Sequence, residues 1–129
     1  MNKYLNKPTE GELEILQTLW RQCPCSVKQV NEIMNEKKDI GYTTSLKMLQ
    51  IMLEKGFCIR EAEGKLHIYK AAIKEQQVKK NYVRDMVDQV FAGSPMEMVV
   101  QTLGNYKASA QEISELKKLI KDLEGNQTS

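Results

Sequence analysis

A chain of 129 residues, 41% hydrophobic and 28% charged, has room for one domain of ordinary size or two very small ones. Its 19 basic and 17 acidic side chains leave a net charge of +2, carried entirely by residues 1–72, and that small excess permits contact with nucleic acid without arguing for it. One histidine, no Gly-rich phosphate loop and no recognisable pair of carboxylates leave little material for an enzyme, and neither a cofactor nor a metal is expected.

The first predicted element is a helix. Thr9 and Glu12 form a T-x-x-E capping box with Pro8 just outside it, and Leu13, Leu16, Leu19 and Trp20 recur at helical spacing, with Ile15 widening the stripe, to about Arg21. Cys23-Pro24-Cys25 breaks this helix. Ser26 and Gln29 make a second capping box, and Val27, Val30, Ile33 and Met34 mark the buried side of a second helix. The polar run Asn35 to Asp39 reads as a turn.

The stretch G-Y-T-T-S-L-K-M-L-Q-I-M-L-E-K-G, from Gly41 to Gly56, predicts a third helix over 43–55. Met48, Leu49, Met52 and Leu53 fall on one side, and Thr43, Thr44, Lys47 and Gln50 on the other. That outward face is polar and donor-rich, with a cation as its one charge. Gly56 ends the helix, where a left-handed residue is cheapest.

The period then changes to two. Phe57, Ile59 and Ala62 precede Glu63-Gly64-Lys65, and Leu66, Ile68 and Tyr69 follow, which predicts a β-hairpin over 57–71. The segment around Cys25 is placed to add a third strand beside it. Helix, helix, helix, hairpin is the order of a winged helix-turn-helix, with its third helix suited to a DNA major groove.

The rest is helical. Val83, Met86, Val87, Val90 and Phe91 form an apolar stripe on a helix expected from about Lys74 to Phe91, interrupted at Gly93. Ser94 and Pro95 open another helix, with Met98, Val99 and Leu103 as its apolar members and Gly104-Asn105 as its expected end. Ser109 and Glu112 give a third capping box, and Ile113, Leu116, Leu119, Ile120 and Leu123 line the last helix, which is expected to fray from Glu124-Gly125. Three one-sided helices cannot close a generous core alone, and a second copy would supply the missing surface. The expected organisation is therefore a winged-helix DNA-binding domain over 1–72 and a three-helix dimerisation module over 73–129, mainly α with a small hairpin.

No run approaches 18 apolar residues, and M-N-K-Y-L-N-K-P lacks the apolar core of a signal peptide, so a cytoplasmic protein without direct membrane insertion is expected. Its three cysteines should then be thiols.

T-E-G-E-L-E-I-L-Q-T-L-W from Thr9, the helix from Gly41 and F-A-G-S from Phe91, in that order, resemble the penicillinase repressor family over roughly residues 7 to 124. The resemblance implies a homodimeric winged-helix repressor released from DNA when it is proteolysed, an event set off by a membrane-bound zinc-peptidase sensor. This sequence departs from the pattern in three places. Many members carry a basic residue where Leu46 stands and Thr where Lys47 stands; there is no cysteine after Cys58, where the copper-responsive branch has paired C-x-C motifs; and the bond cut in the resistance repressors, Asn-Phe, aligns with Gln101-Thr102.

For a double-stranded DNA operator, Lys47 can donate to guanine and Gln50 to adenine, Thr43 and Thr44 sit where a first turn meets phosphate, and Leu46 either touches a thymine methyl or covers the helix junction. Tyr42 orients the turn or meets backbone. Arg60 and Lys65 are the wing's phosphate candidates and Lys28 a backbone contact, while Glu61 and Glu63 oppose a phosphate approach. His67 reads as a surface or packing residue. Cys23 and Cys25 lack further ligands placed nearby, and a structural loop with Cys25 as a small hydrophobe fits better than a metal site. The candidate cleavage region is Gln101, Thr102, Gly104 and Asn105. A second class of function, a winged helix that docks another protein and touches no DNA, is kept alive by the near-neutral charge and opposed by the outward Thr43, Thr44 and Lys47.

Overall fold

The structure, a computed structural model, describes residues 7–22 and 24–127 and divides into two units, 1–84 and 85–129. The first holds α1 (Glu10–Gln22), β1 (Cys25–Ser26), α2 (Val27–Met34), α3 (Tyr42–Lys55), β2 (Cys58–Glu63), β3 (Leu66–Ala71) and most of α4 (Glu75–Gln89). The expected order of helices and hairpin is present.

Local chemistry explains each start and stop. Thr9 and Glu12 exchange their capping-box bonds at 2.8 and 3.2 Å, and Ser26 and Gln29 do the same at the head of α2. At the end of α3, Gly56 adopts φ +81°, its N–H reaches the Leu53 carbonyl and Phe57 N–H reaches Met52, the paired closure of a Schellman motif. α3 begins one residue earlier than expected, at Tyr42. The hairpin turn is tighter than Glu63-Gly64-Lys65: Glu63 pairs directly with Leu66, so Gly64 and Lys65 alone make the turn. Gly64 at φ +62° beside a Lys65 without positive φ is the pattern of a type II′ turn.

The sheet order is β1-β3-β2, all antiparallel, so the two-residue strand at Cys25 does join the hairpin, along the edge of β3. Beneath it lies the core. Ile15, Leu16 and Leu19 of α1, Val30 of α2, Leu49 and Met52 of α3 and Tyr69 of β3 are fully buried together with Phe57 and Cys58. Leu13 and Ile33, expected in the same stripes, are only half-buried. Cys25 and Cys58 are buried thiols. Cys25 donates to the Gln22 carbonyl, and burial pushes the Cys58 thiol up to about 11. Cys23 lies outside the described residues.

The first part of α4 belongs to this unit. Trp20 Nε1 donates to the Ile73 carbonyl at 3.0 Å, and the Tyr82 hydroxyl donates to the Pro8 carbonyl. Burial and the nearby Glu12 carboxylate both push the Tyr82 hydroxyl pKa above its ordinary value.

The second unit contains the end of α4, α5 (Pro95–Asn105) and α6 (Ala110–Gln127). α4 is shorter than the expected 74–91 span and closes through Ala92 and Gly93, both at positive φ. Ser94 caps α5 by accepting from Glu97 N–H, and Ser109 with Glu112 caps α6. These side-chain and backbone bonds to Ser109 also hold the Glu112 carboxyl below its ordinary range. Two expected ends are corrected. Gly104 and Asn105 are inside α5, which stops against an extended Tyr106, and α6 continues through Glu124 and Gly125 to Gln127, because each added residue gains another backbone hydrogen bond. Among the described residues of this unit only Asp85 is buried, and Met86, Val90, Leu103, Ile113, Ile120 and Leu123 are all exposed. Among the described residues, no helix is long and apolar enough to cross a membrane.

Candidate nucleic-acid interface

The turn between α2 and α3 is held by two asparagines. Asn31 Nδ2, on α2, donates to the Ile40 carbonyl and to the buried Ser45 hydroxyl of α3, each at 2.9 Å. Asn35 Nδ2 donates to the same Ile40 carbonyl, and Asn35 Oδ1 accepts from Ile40 N–H. Backbone bonds from Glu36, Lys37 and Lys38 close the start of the turn, the two asparagine side chains satisfy the Ile40 backbone at its end, and together they fix the angle at which α3 leaves α2. Lys38 ties the turn to α1 through Glu14 at 2.7 Å, a contact that raises the Lys38 pKa.

So held, α3 turns its polar side outward. Thr43, Thr44, Lys47 and Gln50 are all exposed. The expectation that this face bears a single charge needs correcting. Glu54 is also exposed, and it stands one turn beyond Gln50 and two beyond Lys47 on the same side of the helix. The face is cationic at its middle and anionic at its C-terminal end, which leaves the first turns as the part suited to a polyanion.

One groove collects most of the remaining candidates. Lys28 from the start of α2, Tyr42, Leu46 and Gln50 from α3, Arg60 from β2 and Lys65 from the turn all line it. Leu46 both lines the groove and packs partly against the core. Thr43, Thr44 and Lys47 are not part of its lining; they lie on the helix face beside it. Ser26, Leu66 and His67 also line the groove, beyond the residues expected from the sequence. For His67 the missed signal was parity, because residues two apart on a strand share a face and Tyr69 is the buried member of that set.

The objection raised by the wing's acids is weakened by where they lie. Glu63 stands opposite Leu66, which lines the groove, yet is not itself among the lining residues; Arg60 stands opposite Tyr69, whereas Glu61 stands opposite Ile68, on the other face of the sheet. Glu61 is engaged there by Lys70 at 3.3 Å. Among the described residues lining the groove there are three fixed cations and no carboxylate. Such a lining attracts phosphate and offers hydrogen-bond donors from Gln50, Tyr42 and Ser26.

Of the other candidates, Val83 is exposed on α4, while Val87, Met98 and Leu116 are half-buried within the second unit. Gln101, Thr102, Gly104 and Asn105 are exposed and helical, and Thr102 Oγ1 donates back to the Met98 carbonyl at 2.8 Å. Among the described residues no three His, Cys, Asp or Glu side chains lie close enough to share a metal ion.

Known proteins resemble this arrangement. The chain is 22% identical to the penicillinase repressor of Bacillus licheniformis over 120 residues, 93% of this chain and 94% of that protein. It is 21% identical to the methicillin resistance regulatory protein MecI of Staphylococcus aureus (strain N315) over 112 residues, 87% of this chain and 91% of that one. Among solved structures, the DNA binding domain of the repressor BlaI superposes with a TM-score of 0.50 at 21% identity, covering 55% of this chain and 87% of that domain. The penicillinase repressor family profile itself matches residues 8–122, from just ahead of α1 into α6. The chain belongs to the penicillinase repressor family.

Proposed function

We propose that the protein is a homodimeric transcriptional repressor that binds a palindromic DNA operator and is released when a sensor peptidase cuts its second unit. The observation that carries the reading is the groove in which Lys28, Arg60 and Lys65 converge from three elements beside the first turns of α3. With α3 in a major groove, Lys47 and Gln50 meet base edges, Thr43 and Thr44 meet phosphate at the head of the helix, and the wing lies along the backbone. Relatives named as repressors, one of them solved as a DNA binding domain, support this reading.

The dimer reading is supported by the second unit. Exposed Met86, Val90, Leu103, Ile113, Ile120 and Leu123 leave apolar surface that a second copy would bury at about 25 cal/mol per Å². Two linked winged helices then bind two half-sites as one event, and this avidity is what a cut would remove. The bond between Gln101 and Thr102 lies inside α5, so a peptidase would need local opening there. Between the Tyr106 N–H, which closes α5 on Thr102, and the Ser109 carbonyl, which opens α6, residues 107 and 108 are non-helical, which favours a cut within about 101–108.

Gel shift of the full-length protein against the DNA upstream of its own gene, at stated salt, tests the central claim. Specific retention with two half-sites, weakened by altering either one, is the expected result. Equal affinity for unrelated duplexes, or none for any, would leave the winged helix as a protein-docking module.

A further inference from the structure

We infer that His67 is a phosphate-binding residue of the wing whose proton couples DNA affinity to pH, an inference that rests on the DNA-binding reading above. His67 is the chain's only histidine. It pairs with Ala62 across the β2–β3 ladder, next along its face to the Tyr69–Arg60 pair. Directly opposed residues share a face, as do residues two apart on a strand, so His67 and Arg60 stand on the same side of the sheet. That side lines the groove, where Lys65 of the turn, Lys28 of α2 and Tyr42 of α3 join them.

The surroundings specify what His67 can meet. Its ladder partner, Ala62, is too short to cover it, and the imidazole is exposed. The charged groups lining the groove with it are Lys28, Arg60 and Lys65, with Tyr42 and buried Tyr69 as the titratable hydroxyls. Of the wing acids, Glu61 lies on the opposite face with Lys70, and neither Glu61 nor Glu63 is among the lining residues. No carboxylate among the described lining residues competes for the imidazole, so the anion it meets is one brought by the ligand.

A neutral imidazole donates one hydrogen bond, whereas an imidazolium donates two and adds a charge. Imidazoles change charge between about pH 8 and pH 5. A phosphodiester laid in the groove favours the charged form, so binding takes up a proton at His67. By linkage, affinity is then highest at the acid end of that interval and falls as pH rises. A phosphate contact carries no sequence information, so the effect applies to any duplex.

The test is fluorescence anisotropy with full-length protein and two labelled duplexes, one from upstream of its own gene and one of random sequence. Titrations are run at about pH 6 and about pH 8 in about 0.15 M salt. Wild type should bind both duplexes about tenfold more tightly at the lower pH, which for a dimer with two wings corresponds to a change of roughly half a unit in proton affinity at each wing on binding. His67→Gln should bind at both pH values as wild type does at the higher one, and His67→Lys should bind tightly at both. Wild-type affinity that does not change with pH, or a pH ratio that survives in His67→Gln, would overturn the inference. Binding to neither duplex at either pH would overturn the DNA-binding reading and this inference with it.

Discussion

Glu12, in the first turn of α1, and Lys55, the last residue of α3, are 43 positions apart in sequence and meet at 2.8 Å. The same Glu12 carboxylate accepts the Thr9 N–H of its own capping box, so one buried acid closes a helix and clamps another. Burial pushes its pKa up, but the Lys55 ammonium and the Thr9 N–H outweigh burial and hold it below the ordinary carboxylate range. A carboxyl lowered in this way stabilises the fold above its unfolded value and loses that contribution as pH falls through the folded one.

Lys55→Met should therefore destabilise the protein by about 1–3 kcal/mol at neutral pH. That is less than the roughly 3–5 kcal/mol of a fully buried pair, because the Lys55 side chain is 34% exposed. Urea denaturation at a series of pH values checks it. The gap between wild type and variant should be constant near neutrality and close below about pH 4. A gap that persists in acid would mean lost packing rather than lost charge.

The asparagine clamp predicts a coupled loss. Asn31→Ala removes the donor to both Ile40 and the buried Ser45 and should cost about 1–3 kcal/mol. Asn35 still holds the turn from the other side, so the variant should fold, with α3 less well aimed. Operator affinity, measured well below the unfolding midpoint, should fall more than affinity for random duplex.

Two lysines separate base reading from backbone contact. Lys47→Ala should weaken operator binding by about 1–3 kcal/mol and relax preference at one base pair, whereas Lys65→Ala should weaken all sequences alike and flatten the salt slope by about one unit. Competition titrations at several salt concentrations give both quantities. Unchanged affinity in Lys47→Ala would mean that the outward face of α3 does not read DNA.

A chain truncated after Arg84 should be a folded monomer. The cut is set there rather than after Ala72 because the Trp20–Ile73 and Tyr82–Pro8 bonds belong to the first unit. In the full chain, Ile120→Asp should shift sedimentation toward the monomer, since a charge is costly in a buried apolar seam. A wild-type chain that stays monomeric at tens of micromolar, roughly where weak dimers persist, would end the dimer reading.

Gly56→Ala should cost about 1–2 kcal/mol in thermal or chemical unfolding, because Gly56 sits at φ +81° and an added Cβ meets no clash, leaving backbone strain as the cause.

What could be read from the sequence was local. Thr9 with Glu12, Ser26 with Gln29 and Ser109 with Glu112 announce their helices because each capping box closes within four residues. The apolar stripes of α1 and α3 likewise mark the core. The parts that stayed hidden depend on distant partners. Nothing near Asn31 says that it meets Ser45, fourteen residues on, and nothing near Glu12 points to Lys55. Alternation along β2 turns Glu61 away from Arg60 whatever the register, but the register that sets Arg60 opposite Tyr69 and Ala62 opposite His67 follows from a turn one residue tighter than the one expected. Glu54 was legible by helical arithmetic, and the face was read one turn too short to include it.

Trp20 is the chain's sole tryptophan, and its indole is hydrogen-bonded across to the first residues after the wing. The fold therefore comes with its own optical reporter at the joint between wing and α4. DNA contributes no indole emission, so the fluorescence of an unlabelled protein watches that one joint. A docked Ile73 carbonyl and a released one would differ in the colour of the light.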